Sequence, residues 1–283
     1  MAAQSKSYRI TFTTIKYFFL VLFSIFFLFP VYALLINSVM PDTAFGERTL
    51  WPDKFNFNTY KELLDTEYLG YLKNTLLVCV LNILGVCIMS TITAYGLAKV
   101  KFKGKNVVFL LIMSTVLLPG TVTSIPLFII YKKMGWNGEL YPLWVPIWFG
   151  GGAMNIFLVR QFMRGIPNSY SEAAVLDGAN NFQIYYKVVM PLVRPIVIYL
   201  AVTTFFGAWN DFQGPLMYVA DVDKNWTLSL ALYQKFGKEN GVLAARKNIQ
   251  MAIGVMMMLP CAVLFGFFQN ELMEGVSTIG LKG

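Results

Sequence analysis

The chain has 283 residues, of which 57% are hydrophobic and only 13% charged. That is about half the charged fraction of a soluble domain, so the chain is predicted to be an integral membrane protein. It contains no histidine, which excludes a histidine-based catalytic triad or metal cluster. The net charge of +8 predicts basic cytoplasmic loops rather than nucleic-acid binding, because the sequence offers no soluble basic domain.

Six apolar runs, each near the roughly 20 residues that cross a bilayer, follow one another along the chain. They predict a short N-terminal tail (1–16), a membrane domain (17–270) and a C-terminal tail (271–283). The three cysteines lie inside apolar runs and are predicted to be small packing residues. The expected spans are 17–39, 74–98, 107–131, 140–162, 191–209 and 249–268.

Several backbone breaks are expected within or between these spans. Pro119-Gly120 and Pro126 interrupt the third span, and such breaks are tolerated at membrane depth only where protein or a water-filled cavity covers them. The triplet Gly150-Gly151-Gly152 in the fourth span is compatible with a hinge, with close helix packing or with a loose kink. Residues 211–248 are interpreted as a polar loop.

The orientation in the membrane is inferred from one short basic turn. The raw number of basic residues on the two sides is nearly balanced, so the prediction depends on position, because the positive-inside rule gives most weight to short loops near span ends. Lys132-Lys133 is the main signal against the assignment. Both termini are predicted to be cytoplasmic because the strongest short loop carries Lys99, Lys101, Lys103 and Lys105.

A polar segment at 168–190 separates the fourth and fifth spans. Ser169 and Glu172 have the spacing of a capping box, which predicts a helix start. Gly178 is suited to end that helix in a left-handed conformation, and Asn180 or Asn181 can cap a second short helix that leads to Pro191. The pattern predicts a helix, a turn and a helix outside the membrane, suited to a partner's groove. The alternative is a surface amphipathic hairpin without a partner.

The same segment resembles the signature loop of bacterial ABC importer permeases. The resemblance rests on Glu172-Ala173-Ala174, Gly178 and Met190-Pro191 at that loop's spacing, with Val188 and Met190 in place of the usual Ile and Leu. With Asp177 and Ala179 included, the motif resembles the extended form found in the sugar-importer branch of that family. Further similar stretches are Tyr95 to Lys105, Leu118-Pro119-Gly120, Pro126-Leu127, Asn155 to Phe162, Trp209-Asn210-Asp211 and Gly280 to Gly283.

The resemblance implies an all-α integral membrane protein of the type I ABC importer permease fold, with six transmembrane helices and a cytoplasmic coupling helix. Within that family, the chain resembles the smaller, six-span subunit of the maltose-type pair of permeases. The tail Gly280, Leu281, Lys282 and Gly283 is expected to contact the ATPase. The residues expected to couple to the ATPase are Glu172, Ala173, Ala174, Asp177, Gly178 and Ala179.

The same resemblance implies that different subunits carry out transport and ATP hydrolysis. The chain would bind no cofactor and do no covalent chemistry, since ATP and Mg belong to partner subunits. The expected partners are a second homologous permease, two cytoplasmic ATPase subunits, an extracytoplasmic sugar-binding protein and the lipid bilayer, with no nucleic acid. The expected function is import of a carbohydrate, an oligosaccharide, across the bacterial cytoplasmic membrane.

Four polar or aromatic residues within or near the spans are candidates for the substrate pathway. Polar groups at membrane depth are costly and usually face a bundle interior or a cavity. Hydrogen bonding between helices explains the polar residues equally well, and interfacial anchoring explains the tryptophan. The candidates are Asn82, Trp209, Asn210 and Asp211.

Two other classes of protein remain as alternatives. A self-sufficient secondary transporter or channel usually has internal repeats and charged residues in mid-span, and neither is clear in this sequence. An intramembrane enzyme ranks last, because the chain lacks histidine and paired mid-span acids.

Overall fold

The computed structural model describes residues 6–41, 51–52, 54–64, 66–237 and 247–280, and every regular element among these residues is a helix. The chain forms two compact units. The first unit contains residues 1–65 and 235–259, and the second contains residues 66–234 and 260–283.

The first unit is built from long apolar helices and one short helix. Asn248 is fully buried, and its side-chain amide donates to the Met40 carbonyl at 3.3 Å and to the Thr59 hydroxyl at 3.2 Å. Leu63 and Ile249 form a small apolar core beside it. The helices are α1 (Lys6–Ser38), α2 (Asn58–Leu63) and the first part of α15 (Lys247–Gly280).

The second unit is organised around one long apolar helix. This helix is α3 (Thr66–Gly85), which continues through a π-helical turn at Val86–Ser90 into α4 (Thr91–Ala98). Residues of α4 pack against α8 (Ala153–Gly165), while α3 packs against α12 (Arg194–Asn210). The buried core of this unit consists of Val86, Ala94, Tyr95, Leu97, Ile156, Val159, Met163, Ile184, Val189, Val193, Ile196 and Leu200.

The third apolar run is bent by 98° between Leu117 and Gly120. The break falls at Pro119, whose backbone is extended, as the sequence predicts. The expected break at Pro126 is wrong: Pro126 lies within a continuous helix. The two arms are α5 (Lys105–Ser114), with a 3-10 turn at Thr115–Leu117, and α6 (Gly120–Lys133).

The glycine triplet joins a 3-10 turn to α8. It follows α7 (Tyr141–Trp144) and the 3-10 turn Val145–Trp148, and all three glycines have positive φ. A Cβ at Gly151 would lie 2.7 Å from the Cα of Ser90. Of the three alternatives, the structure therefore supports close packing at Gly151.

The polar stretch after α12 is more ordered than a simple loop. The Asn74 amide donates to the carbonyls of Lys224 and Trp226, and the Thr75 hydroxyl accepts from the Leu228 N–H at 2.7 Å. The loop interpretation is wrong here, because the stretch contains short helices, and these long-range bonds attach residues 224–228 to α3. They are α13 (Gln213–Tyr218), a 3-10 turn (Asp223–Asn225), α14 (Leu228–Leu232) and a π-helical turn (Tyr233–Gly237).

Among the residues that the structure describes, four helices are long and apolar enough to cross a membrane, and two bent pairs raise the possible number to six. The bent pairs are Lys105–Leu117 with Gly120–Lys133 and Asn181–Leu192 with Arg194–Asn210. The other four candidates are Phe12–Ser38, Tyr68–Ala98, Tyr141–Gly165 and Asn248–Met273.

Candidate functional site

The polar hairpin, residues 169–192, begins with α9 (Ser169–Leu176). The helix starts at Ser169 as expected, but the capping-box interpretation is wrong: its N-cap is Asn168, which makes no side-chain capping bond. At the other end Gly178 has φ +81°. The Ala179 N–H donates to the Ala174 carbonyl and the Gly178 N–H to the Val175 carbonyl, which is the Schellman pattern. The predicted glycine stop is confirmed.

The two sides of α9 differ in their surroundings. Ala174 and Ala179 pack against the chain's own apolar core, where a larger side chain would push the helix outward. Glu172 and Ala173 are exposed, and Leu176 is 89% exposed. An acid beside small and apolar side chains on an open helical surface is suited to binding a partner that carries a basic group.

The second arm of the hairpin begins with a complete capping box. The Asn180 side chain accepts from the Gln183 N–H at 2.9 Å, and the Gln183 side chain accepts from the Asn180 N–H at 2.9 Å. Of the two predicted caps, Asn180 is therefore the one used. This arm comprises α10 (Asn181–Gln183), a π-helical turn at Ile184–Val189 and α11 (Met190–Leu192), and it meets α12 at an angle of 77°.

Lys99, in the lysine-rich turn, forms hydrogen bonds to residues that immediately precede the polar hairpin. Its ammonium donates to the Ile166 carbonyl at 2.7 Å and to the Asn168 side-chain oxygen at 3.1 Å. Burial lowers the pKa of Lys99 below its usual value, and the nearby Lys105 charge lowers it further. The sequence indicates a basic turn but gives no sign that one of its lysines fixes the start of α9.

Two other cations donate hydrogen bonds to carbonyls at the C-terminal end of α4. The Arg160 guanidinium donates to the Leu97 carbonyl at 3.2 Å and lies 3.8 Å above the centre of the Phe109 ring. Lys105 donates to the carbonyls of Ala98 and Val100, both at 3.0 Å. The last carbonyls of a helix lack intrahelical partners and carry partial negative charge, so these cations stabilise the helix end.

The four pathway candidates are not brought together as one polar cluster. The Asn82 amide donates to the Val78 carbonyl of its own helix and to the Leu143 carbonyl, 61 residues away, both at 2.9 Å. This bond joins two helical segments. Trp209 is 2% exposed and stacks on Phe205 at 5.4 Å between ring centroids.

Asn210 and Asp211 lie at the end of α12. The exposed Asn210 amide donates to the Phe206 carbonyl at 2.9 Å. Asp211 accepts from the Gly214 N–H at 3.1 Å and so holds the start of α13. Burial raises the pKa of the Asp211 carboxyl, while its backbone hydrogen bonds act in the opposite direction.

The predicted ATPase-contacting tail lies almost entirely outside the described residues. Gly280 is the last residue of α15, whereas Leu281, Lys282 and Gly283 lie beyond it. Within the part of the chain that the structure describes, no three or more His, Cys, Asp or Glu side chains are grouped so as to hold a metal ion.

These features define a class of protein. The described residues form a helical, multi-span membrane protein. Its polar hairpin packs against a long apolar helix and exposes an acid and apolar side chains.

Comparisons with known proteins agree with this class. A probable starch degradation products transport system permease protein from Thermoanaerobacterium thermosulfurigenes is 28% identical over 264 residues, covering 93% of this chain and 94% of the relative. A melibiose/raffinose/stachyose import permease protein from Bacillus subtilis is 28% identical over 259 residues, covering 90% and 91%.

The fold is also known from a crystal structure. A chain of a bacterial ABC transporter involved in the import of the acidic polysaccharide alginate matches with a TM-score of 0.83 and 24% identity, covering 95% of this chain and 99% of that one. Residues 87–276 match the family of binding-protein-dependent transport system inner membrane components. The chain belongs to this family, and it is a non-enzymatic permease component of an ABC transporter.

Proposed function

We propose that this chain is one of two homologous permease subunits of an ATP-driven, binding-protein-dependent oligosaccharide importer. The observation that carries the proposal is the exposed surface of α9, where Glu172 and Ala173 are open to a partner and Leu176 is 89% exposed. The substrate class rests on the relatives, which are named for starch products, for melibiose, raffinose and stachyose, and for alginate. All of these are saccharides of two or more units.

The polar hairpin is the proposed contact with the ATPase. Glu172 would pair with a basic residue of the ATPase, while Ala173 lets the helix approach closely. Gly178 supplies the turn, Asp177 and Ala179 flank it, and Ala174 keeps α9 seated on the membrane helices. In this assembly two cytoplasmic ATPase subunits bind ATP and Mg, an extracytoplasmic protein delivers the saccharide, and tail residues 280–283 reach the ATPase.

The proposed orientation has both termini in the cytoplasm. The Lys99 contact with Asn168 supports it, because the contact puts the polar hairpin on the same side as the four-lysine turn, and such turns favour the cytoplasmic side. Six spans follow if each of the two bent pairs crosses the membrane once. The pathway would then lie between two permease subunits, with Asn82, Trp209, Asn210 and Asp211 as its candidate residues.

The test is a charge reversal on α9. The importer is reconstituted in liposomes with its partner permease, ATPase and binding protein, and uptake of maltotriose, raffinose and an alginate trisaccharide is measured together with ATP hydrolysis. Glu172→Lys is expected to leave membrane abundance unchanged and to weaken ATPase association about tenfold or more, since hydrogen bonds to charged groups contribute about 1.5–3 kcal/mol. Uptake should fall in parallel.

Asp221→Lys is the matched control, because Asp221 is also an exposed acid but lies outside the hairpin. It is expected to behave as the unaltered protein. Normal uptake and ATPase association in Glu172→Lys would contradict the coupling role. Ion-driven flux by the purified chain alone would identify a secondary transporter instead, and uptake of none of the three saccharides would contradict the substrate class.

A further inference from the structure

Two π-helical turns of the second unit are linked through a hydrogen bond between the side chains of Tyr185 and Thr91. One, Val86–Ser90, lies inside the long apolar helix, and the other, Ile184–Val189, lies in the second arm of the polar hairpin. The Tyr185 hydroxyl is 2.8 Å from the Thr91 hydroxyl, and the Tyr185 and Tyr95 rings are 5.3 Å apart. Short π-helical turns interrupt the regular hydrogen-bond ladder and occur frequently at functional sites.

The direction of the Tyr185 hydrogen bond follows from counting protons. The Thr91 oxygen is 2.6 Å from the Cys87 carbonyl and 3.0 Å from the Ile88 carbonyl. A threonine hydroxyl has one proton and a carbonyl can only accept, so the Thr91 proton goes to the backbone. Tyr185 must therefore donate to Thr91. The hydrogen bonds run in one direction from the hairpin, through Thr91, to the backbone of the π-helical turn.

This turn is held on its other side by backbone packing. A Cβ at Gly151 would lie 2.7 Å from both the Cα and the Cβ of Ser90, so the glycine loop rests directly on the turn. The Ser90 hydroxyl donates to the Val86 carbonyl, which adds a side-chain hydrogen bond within the turn. Tightly packed elements shift between discrete arrangements rather than deform continuously. A displacement of Tyr185 thus reaches Thr91, Ser90 and the glycine loop.

We propose that Tyr185 and Thr91 are positioning residues for energy coupling, and that their hydrogen bond passes movement of the polar hairpin to the Val86–Ser90 turn. The inference rests on the proposed coupling role of the hairpin. Neither hydroxyl contacts substrate or nucleotide in this proposal. Both act by fixing where the long apolar helix lies relative to the hairpin.

The experiment measures the number of saccharides imported per ATP hydrolysed by the reconstituted importer, with whichever of maltotriose, raffinose and alginate trisaccharide it imports fastest. Tyr185→Phe removes the donating hydroxyl, and Thr91→Val removes the accepting hydroxyl together with its bond to the backbone of its own helix. Each is expected to lower the ratio about two- to tenfold, the range that corresponds to one neutral hydrogen bond. Thr91→Ser, which keeps the hydroxyl, is expected to retain the ratio of the unaltered protein.

Matched controls come from α12 of the same unit. Thr203 donates to the carbonyls of Tyr199 and Leu200 within its own helix. Thr203→Val therefore removes the same kind of local bond without a link to another element, and Tyr199→Phe is the control for the tyrosine. Both should leave the ratio unchanged. The double variant Tyr185→Phe/Thr91→Val should be no worse than Thr91→Val alone, because Thr91→Val has already removed the bond that Tyr185→Phe removes.

Two outcomes would overturn the inference. One is an unchanged ratio in both Tyr185→Phe and Thr91→Val, and the other is lower membrane abundance with the ratio retained, which would mark a purely structural bond. Glu172→Lys separates this failure from that of the proposed function. If Glu172→Lys uncouples the importer while the hydroxyl variants do not, only the role of Tyr185 and Thr91 is contradicted.

Discussion

At the scale of single residues, two glycines with nearly the same φ angle differ in what surrounds them. Gly178 has φ +81° and Gly151 has φ +83°. No atom lies within 4 Å of a Cβ built at Gly178, whereas a Cβ at Gly151 would overlap the backbone of Ser90. The first glycine is needed only for its conformation, while the second is needed for its conformation and for its lack of a side chain.

Alanine at these two positions should therefore have unequal effects. Gly178→Ala is expected to cost about 1–2 kcal/mol for the left-handed conformation, with Gly178→Asn milder because asparagine tolerates that region. Gly151→Ala adds about 1–3 kcal/mol of overpacking. Membrane abundance and the apparent Tm of the purified complex should fall further for Gly151→Ala. Equal losses at the two positions would contradict the close contact with Ser90.

At the scale of an element, the end of α4 depends on cations from elsewhere in the unit. Arg160 is 6% exposed although it is charged, and it lies between the Leu97 carbonyl and the Phe109 ring. Lys105 supplies two more bonds to the same end. The lysine-rich turn is predicted from the sequence as an orientation signal. The structure adds that Lys105 also completes a helix end.

Removing the buried guanidinium should destabilise this end of α4. Arg160→Met keeps most of the side-chain volume but leaves the Leu97 carbonyl without its donor, at an expected cost of about 1.5–3 kcal/mol. Arg164→Met is the control, because Arg164 is exposed and surface changes usually stay within about 0.5 kcal/mol. Thermal unfolding of the purified complex gives the comparison, and an equal Tm for the two variants would refute the capping role.

At the scale of the whole molecule, the number of membrane crossings depends on the bent pairs. The pair Lys105–Leu117 and Gly120–Lys133 turns by 98° at Pro119. Composition alone fits either a broken span or a loop that enters and leaves on one side. The proposed crossing puts the lysine-rich turn and the Lys132-Lys133 pair on opposite sides of the membrane, whereas a re-entrant loop would keep both on one side.

Cysteine labelling in oriented vesicles distinguishes the two arrangements. Lys103→Cys and Asn137→Cys both replace exposed residues, one on each side of the bent pair. An impermeant maleimide should reach position 103 only from the cytoplasmic side and position 137 only from the opposite side. The unaltered chain, with its three native cysteines, gives the background. Labelling of both positions from one side would establish a re-entrant loop and reduce the number of spans.

Features that depend on neighbours within one or two turns could be predicted from the sequence. Apolar runs predicted the membrane class, Pro119 predicted the break in the third run, and Gly178 predicted the end of α9. Asn180 or Asn181 was predicted to cap the second arm, and Asn180 does so. Each of these follows from local backbone chemistry, which a short stretch of sequence contains in full.

Residues whose partners are distant in the chain acquire their roles from packing between helices. Arg160 meets Leu97 across 63 residues, and Tyr185 meets Thr91 across 94. Gly151 likewise packs against the distant Ser90, and Lys99 bonds to the distant Asn168 at the start of α9. Sequence periodicity indicates which face of a helix is apolar but not which carbonyl or hydroxyl lies opposite, because packing between helices sets those distances.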